Sequence, residues 1–194
     1  MSESDDLLHP ASFESLIRLH GPAVHAYLVR RVGLVVDADD LLAETWLAAY
    51  GSRSSFDPAQ GTVRGWLFGV ARHVLVGHYR QSARRARGLS LRMAKQPSAI
   101  DEWAAVDARL DALAYGPQLR AALFGLPPVE REAILLVAWE QLTPEEISQA
   151  LAIPAATVRT RLYRARHRLR ERLVGLGPVT GVHDGEASST RRNR

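Results

Sequence analysis

Seven arginines lie in one short segment near the C-terminal end, "ATVRTRLYRARHRLRERL", which covers residues 156–173. Between residues 155 and 175 only Glu171 carries the opposite charge. Guanidinium groups bind phosphate oxygens, and they also donate paired hydrogen bonds to the major-groove edge of guanine. The residue type and its density therefore favour nucleic-acid binding, with a merely solvated charged helix face as the alternative.

The segment before the arginines, "TPEEISQALAIPAA", favours the first of these interpretations. Thr143 can cap a helix, Pro144 suits its first position, and Glu146 completes a capping box. The helix is expected to end at Leu151, to be followed by the turn "AIP", and to give way to a second helix that begins near Thr157. Two helices joined by a turn of about three residues have the shape of a helix-turn-helix.

The apolar residues of these two helices support the same arrangement. One small core can form from five side chains: Ile147, Leu151, Ile153, Val158 and Leu162. The arginines take the remaining circumference of the second helix, whose polar N-terminal turn stays exposed, as a helix in the DNA major groove requires. Base edges are expected to meet Arg159, Thr160, Tyr163 and Arg164, and phosphates to meet Arg161 and Arg166. Thr157, at the start of this helix, completes the predicted DNA-binding set.

A second charged feature, of opposite sign, lies in the N-terminal half. In "DADDLLAETWLAAY", Asp37 can act as an N-cap, and the apolar residues of the segment are expected to form a buried side. Asp40 and Glu44 are four residues apart, which places both carboxylates on one exposed face of the helix. An acidic face of this kind is either simply solvated or a docking surface for a basic partner.

Helices on either side of this segment complete the N-terminal half. A first helix is expected from Ser12, with a kink or break at Gly21-Pro22. The residues "GSRSSFDPAQGT", 51–62, read as a loop, and a long helix follows from residue 62. Gly65, Gly69 and Gly77 weaken that helix but permit close packing against another helix.

Composition limits the class of protein. The 194 residues include no cysteine, which excludes disulfides, thiolate metal sites and cysteine nucleophiles. No stretch approaches the roughly 18 apolar residues of a membrane span, and the N-terminus "MSESDDLLHP" is too acidic and polar for a signal peptide. A cytoplasmic protein without membrane insertion, metal or cofactor is expected.

The predicted fold is all-α, with two small helical domains joined by a linker and a helix-turn-helix in the C-terminal domain. The predicted boundaries are a flexible N-terminus 1–9, a helical domain 10–85, a linker 86–116, a helix-turn-helix domain 117–174 and a disordered tail 175–194.

Both halves together resemble a known family. "LPPVEREAILLVAWEQLTPEEISQALAIPAATVRTRLYRARHRLRERL" resembles region 4 of bacterial RNA polymerase sigma factors. "DADDLLAETWLAAY" and "FDPAQGTVRGWLFGVARHVLVGHYRQSARR" resemble region 2. Two modules, a short linker and no intervening regions are typical of the extracytoplasmic-function class of the sigma-70 family. The resemblance covers residues 10–174, and the order and spacing of the two motifs make it specific.

The resemblance implies a promoter-specificity subunit with no catalytic residues. Its helix-turn-helix would read the minus-thirty-five element, and its first domain would bind core polymerase and melt the minus-ten element. The implied contacts with the clamp helices of the largest polymerase subunit are Asp40, Leu41, Glu44 and Thr45. Those implied for minus-ten DNA are Phe56, Arg64, Trp66, Arg72, His73, Tyr79, Arg80 and Arg84. An anti-sigma factor is an expected further partner. For Phe56 and Trp66, core packing is an equally good interpretation.

The chain departs from the family pattern at a few positions. Ala152 stands where glycine is usual, and a left-handed backbone there would cost on the order of 1 kcal/mol. His73 and His78 replace the common Asn and Asp of the minus-ten helix, and Ala43 replaces a common Gln on the polymerase-binding helix. The spacing of the two histidines is wrong for two metal ligands on one helical face.

Two other functional classes compete with the sigma factor. An ordinary transcriptional regulator would use 117–174 for DNA and 10–85 for sensing or dimerisation, but it has no need of the acidic helix followed by the basic one. A hydrolase or nuclease would need a phosphate-binding loop or a metal cluster, and neither pattern is present in the sequence.

Overall fold

The structure, a computed structural model, describes residues 10–32, 35–89 and 117–174, and every regular element in these ranges is helical. The all-α prediction is confirmed. Helices α1, α2 and α3 form the N-terminal half, and α4 to α7 the C-terminal half. Their bounds are α1 Pro10–Val32, α2 Val35–Ser52, α3 Val63–Leu89, α4 Pro117–Phe124, α5 Pro128–Ala138, α6 Pro144–Leu151 and α7 Ala155–Val174, with a short 3-10 turn at Arg53–Ser55. The predicted N-terminal segment 1–9, most of the predicted linker 86–116 and the predicted tail 175–194 lie outside the described residues.

Some predicted helix boundaries are wrong. Of the kink or break expected at Gly21-Pro22, the break does not occur, because helix α1 runs through Pro22. A proline removes one backbone hydrogen bond, and here the burial of the following turns, including Val24 and Leu28, offsets that loss. Helix α2 begins at Val35, so Asp37 lies in its first turn and is not the N-cap. It also continues to Ser52, which shortens the predicted loop.

Aromatic side chains fill the core at one end of the N-terminal half. Phe13 of α1 meets Trp46 and Tyr50 of α2 edge to face, with ring centroids 5.9 and 5.2 Å apart. Phe56, beyond the 3-10 turn, packs against Trp66 of α3 with centroids 5.6 Å apart. The first two contacts hold α1 against α2, and the third anchors the loop that joins α2 to α3.

The helix-turn-helix forms as predicted. Thr143 accepts a hydrogen bond at Oγ1 from the Glu146 backbone N–H (3.2 Å), and its own N–H donates to Glu146 Oε2 (2.9 Å). This capping box starts α6, which ends at Leu151. Ala152 then adopts the left-handed conformation, with φ 52° and ψ 46°. The Ser148 hydroxyl donates to the Ile153 carbonyl at 2.6 Å and fixes the turn before α7.

The hydrophobic core extends further than the sequence suggested. Ile147, Leu151, Val158 and Leu162 are buried, with Ile153 packed against them, but this cluster does not end at the helix-turn-helix. It continues into the N-terminal half through residues of α1, α2 and α3: Val24, Tyr27, Leu28, Val32, Ala38, Leu41, Phe68, Ala71, Leu75 and Tyr79. The five side chains predicted to meet do so, and the core they join is shared with α1, α2 and α3, with helix α6 packed on helix α3.

Candidate nucleic-acid interface

Helix α7 presents a polar, arginine-rich surface to solvent. Val158, Leu162 and Ala165 are buried and hold the helix on the core. The side chains predicted at base edges lie on the opposite side and are all exposed: Arg159, Thr160, Tyr163 and Arg164. Arg166 is exposed as well, whereas Thr157 and Arg161 are half-buried at the edge of this surface. The predicted set is thus brought together on one helix.

Two acidic residues hold arginines of this surface in place. Arg159, in the first turns of α7, forms an ion pair with Glu145 at the start of α6. Arg168 Nε lies 3.3 Å from Glu130 Oε2, and the Glu130 side chain is buried. Arg168 was not in the predicted set. It ties the C-terminal part of α7 to α5, and no local spacing in the sequence connects the two residues.

Apart from Tyr79, the residues implied for minus-ten DNA fall into three groups. His73, Arg80 and Arg84 of α3 are exposed. Phe56 and Trp66 are half-buried in mutual contact, so they build the loop and keep only part of their rings accessible. Tyr79 is buried, and its hydroxyl donates to the Arg31 carbonyl at 2.7 Å. It supports the fold and is not placed to contact DNA.

Arg64 and Arg72 form the third group, because the C-terminal half occupies their guanidinium groups. Arg64 lies 3.6 Å from Glu146 Oε2 and donates to the carbonyls of Glu140 and Gln141. Arg72 Nε donates to Glu132 Oε1 at 2.9 Å. Groups of the C-terminal half thus already occupy part of each guanidinium group, and the Arg64 and Arg72 side chains remain 31% and 30% exposed.

The acidic face of α2 is present, but two of its predicted members are not on it. Asp40 and Glu44 are exposed. Leu41 and Thr45 are 2% and 0% exposed, and the Thr45 hydroxyl donates to the Leu41 carbonyl at 2.7 Å. These two residues therefore support the helix from inside and cannot touch a partner in this arrangement. Leu47, 74% exposed and three residues after Glu44, is a large apolar side chain that the prediction missed.

Burial raises the pKa of one tyrosine in the core. Tyr27 is 1% exposed, and desolvation raises its pKa from 10.0 to about 12, although the nearby Arg31 guanidinium acts in the opposite direction.

Among the described residues no group of three histidines or carboxylates is close enough to hold a metal ion, His73 and His78 included. None of the helices in the described ranges is long and apolar enough to cross a membrane.

Family models and related proteins point to the same protein family. The model described as Sigma-70 region 2 matches residues 16–85, and Sigma-70, region 4 matches residues 117–169. RNA polymerase sigma factor CarQ of Myxococcus xanthus is 31% identical over 84% of this chain and 89% of its own length. ECF RNA polymerase sigma factor SigE of Mycolicibacterium smegmatis is 32% identical over 84% of this chain, which spans only 62% of that relative.

Solved structures share the fold. The sigma factor RpoE of Bartonella quintana, in complex with the anti-sigma factor NepR, matches with a TM-score of 0.57 and 23% identity over 84% of this chain and 96% of that one. CnrH, in complex with the cytosolic domain of CnrY, matches with a TM-score of 0.57 and 22% identity over 90% and 96% of the two chains.

The chain belongs to the sigma-70 family of RNA polymerase sigma factors, in its extracytoplasmic-function class. As a member of that family it is a promoter-specificity subunit of bacterial RNA polymerase. Membership of this family, whose members are initiation factors, removes the support for the regulator and hydrolase alternatives.

Proposed function

We propose that residues 117–174 read the minus-thirty-five element through α7, while residues 10–85 dock on core polymerase and hold the opened minus-ten element. The chain works in the cytoplasm and carries out no reaction of its own. Helix α3 continues to Leu89, so the linker of this proposal begins after that residue. The observation that carries the proposal is the exposed arginine face of α7, displayed from a capped helix-turn-helix.

Docking on the polymerase is assigned to Asp40, Glu44 and Leu47 of α2. All three are exposed, and their spacing of four and three residues places them along one side of the helix. The carboxylates suit basic residues of the clamp helices and set orientation and association rate, whereas Leu47 contributes apolar area. Leu41 and Thr45 act behind this surface by holding the helix in the core.

Minus-ten DNA is assigned to α3 and the loop before it. His73, Arg80 and Arg84 offer an exposed basic track, and the accessible parts of Phe56 and Trp66 offer a surface on which an unpaired base can stack. Arg64 and Arg72 extend the track once their contacts with the C-terminal half are released.

Tethering explains how one helix-turn-helix is sufficient. A single such module binds DNA weakly, and most members of this motif class bind as dimers. When α2 is docked on polymerase and α3 holds the minus-ten strand, α7 is kept near its element at high effective concentration. The three contacts, each weak alone, together give a high overall affinity for the promoter.

An anti-sigma factor is proposed as the negative regulator. The neighbours RpoE and CnrH were both solved with a partner chain, an anti-sigma factor for RpoE and the cytosolic domain of CnrY for CnrH. A comparable partner of this chain would cover the α2 and α7 surfaces. The chain has no cysteine, so thiol-based sensing would have to belong to the partner.

Co-elution with sigma-free core polymerase on gel filtration tests the docking. The chain should co-elute, and Asp40→Arg/Glu44→Arg should abolish co-elution without loss of helical content. The matched control is Glu14→Arg/Glu171→Arg, which makes the same charge change at exposed positions outside α2. Absence of co-elution by the parent chain, or equal loss in the control, would contradict the proposal.

A further inference from the structure

Of the two arginines predicted at base edges, Arg159 and Arg164, only Arg159 pairs with a carboxylate among the described residues. Its guanidinium meets Glu145, which lies in the first turn of α6, 14 residues earlier in the chain. Both side chains are 61% exposed, so the pair lies at the surface that α7 presents to solvent. The pair therefore distinguishes Arg159 from the other exposed arginine predicted to read bases.

The Glu145 carboxylate takes no part in starting its own helix. Thr143 and Glu146 form the capping box of α6 between themselves, and Glu146 also pairs with Arg64. A carboxylate in the first turn suits the helix dipole, but that interaction needs no arginine beside it. The contact with Arg159 thus calls for an explanation beyond the stability of α6.

The Arg159 side chain has a defined place at the start of α7. It lines a groove between α7 and the start of α6, together with Leu142, Pro144 and Leu162. Arginine side chains commonly rest their aliphatic stem on apolar surface of this kind and keep the charged head in water. The groove and Glu145 together hold the guanidinium at the end of α7 that a helix-turn-helix turns toward base edges.

A guanidinium group can bind a carboxylate and a base at the same time. It carries five N–H donors in a fixed fork, and guanine needs two of them for its O6 and N7 atoms. An exposed arginine without a partner can instead turn to the nearest phosphate, which adds affinity but no sequence information. A carboxylate beside it opposes that turn, because it binds the guanidinium and repels the phosphates.

The position of Glu145 strengthens this effect. The first helix of a helix-turn-helix crosses the DNA backbone, so a carboxylate in the first turn of α6 comes near phosphates and lowers the affinity for every sequence. We propose that Glu145 is a specificity-determining residue of the minus-thirty-five site, where it positions the Arg159 guanidinium for guanine and keeps it away from the phosphates. The inference rests on the proposed reading of the minus-thirty-five element by α7.

Binding measurements on the reconstituted holoenzyme test this role. Sigma-free core polymerase that carries the parent chain first selects duplexes from a random-sequence library, and the most enriched duplex becomes the probe. Each variant holoenzyme is then titrated with the probe, its single-base variants and a scrambled duplex. Arg159→Ala identifies the base pair that Arg159 reads, as the position at which base preference is lost. Glu145→Gln should reduce the preference at the same position by at least about fivefold and bind the scrambled duplex more tightly than the parent does.

Salt dependence separates positioning of Arg159 from a general effect of charge or folding. An Arg159 side chain released to the phosphates adds one contact, so Glu145→Gln should increase the slope of log K against log salt on the scrambled duplex by about 1. The increase should be absent in Glu145→Gln/Arg159→Ala. The matched control is Glu171→Gln, which removes one exposed carboxylate from α7, where its partner is His167. This control should leave both the base preference and the slope unchanged.

The possible failures can be told apart. If Glu145→Gln keeps the preference that Arg159→Ala loses, the inference is overturned and the proposed function stands. An equal change in Glu171→Gln, or an increase in slope that persists without Arg159, would overturn it as well. If Arg159→Ala relaxes no base pair, the inference and the proposed base reading by Arg159 fail together.

Discussion

Arg31 and Glu140, which are 109 residues apart in the chain, form a buried ion pair with Nη1 3.2 Å from Oε1. The Arg31 guanidinium also lies over the ring of Tyr27, 3.6 Å from its centroid, and donates to the Tyr27 carbonyl. One side chain thus connects α1, the turn after α5 and the aromatic core. Because both charges are removed from water, loss of either partner is costly: loss of Glu140 leaves Arg31 without a carboxylate, and loss of Arg31 leaves Glu140 with Arg30 as its remaining partner.

Arg31→Met is therefore expected to lower the free energy of unfolding by about 3 kcal/mol, measured by urea denaturation. The matched control is Arg18→Met on the same helix, since its ion pair with Glu14 is exposed. The control should change stability by no more than about 0.5 kcal/mol. Equal effects of the two substitutions would show that the Arg31 pair is not buried as described.

Ala152→Gly should stabilise the chain by about 1 kcal/mol. Ala152 has φ 52°, and an L-residue with a Cβ pays a steric cost in this region that glycine avoids. Thermal unfolding measures the gain as a rise in Tm. Ala43→Gly, at an exposed position inside α2, should instead destabilise by about 1 kcal/mol. A loss of stability in both variants would contradict the left-handed turn.

Stability should fall at high pH because of Tyr27. Its pKa is raised to about 12 in the folded chain against 10.0 for an exposed tyrosine, so the unfolded state loses its proton first. The contribution is fully present below pH 10 and decreases by up to about 1.4 kcal/mol per unit as the pH rises toward 12. Denaturant titrations at several pH values measure the slope. Tyr27→Phe should remove the Tyr27 contribution to this slope of unfolding free energy against pH. An unchanged slope in Tyr27→Phe would show that other groups cause the loss of stability.

Base-reading and phosphate-binding arginines of α7 should differ in their salt dependence. Arg166→Ala should weaken binding to all duplex sequences and reduce the slope of log K against log salt by about 1. Arg159→Ala should cost about 1–3 kcal/mol at the minus-thirty-five site and relax its sequence preference. Binding titrations of specific and scrambled duplexes at several salt concentrations separate the two. Identical profiles would contradict the proposed division of roles.

Local features of the helix-turn-helix were predictable from the sequence because short-range physical chemistry specifies them. The capping box of Thr143 and Glu146 depends on a spacing of three residues, and the end of α6 follows from the turn after Leu151. The left-handed conformation of Ala152 was considered only because the family usually has glycine at this position, not because of any local spacing. The exposed face of α7 follows from helical periodicity.

Contacts between the two halves were not predictable in the same way. Nothing in the spacing of residues connects Arg31 with Glu140 or Arg72 with Glu132, because such pairs arise only when distant helices pack. The burial of Thr45 was missed, and the burial of Leu41, which the apolar pattern predicted, conflicts with the partner contact that the resemblance implied. A family-based assignment groups neighbouring residues of one helix, whereas the structure separates those that face the core from those that face solvent.

Promoter-dependent transcription by a reconstituted enzyme tests the central claim most directly. Sigma-free core polymerase is mixed with the chain and a library of genomic fragments, and the 5′ ends of the transcripts are mapped. We expect discrete start sites that share minus-thirty-five and minus-ten elements, absent with core alone and absent with Asp40→Arg/Glu44→Arg. Transcripts indistinguishable from those of core polymerase alone, with a folded chain present, would contradict a promoter-specificity subunit.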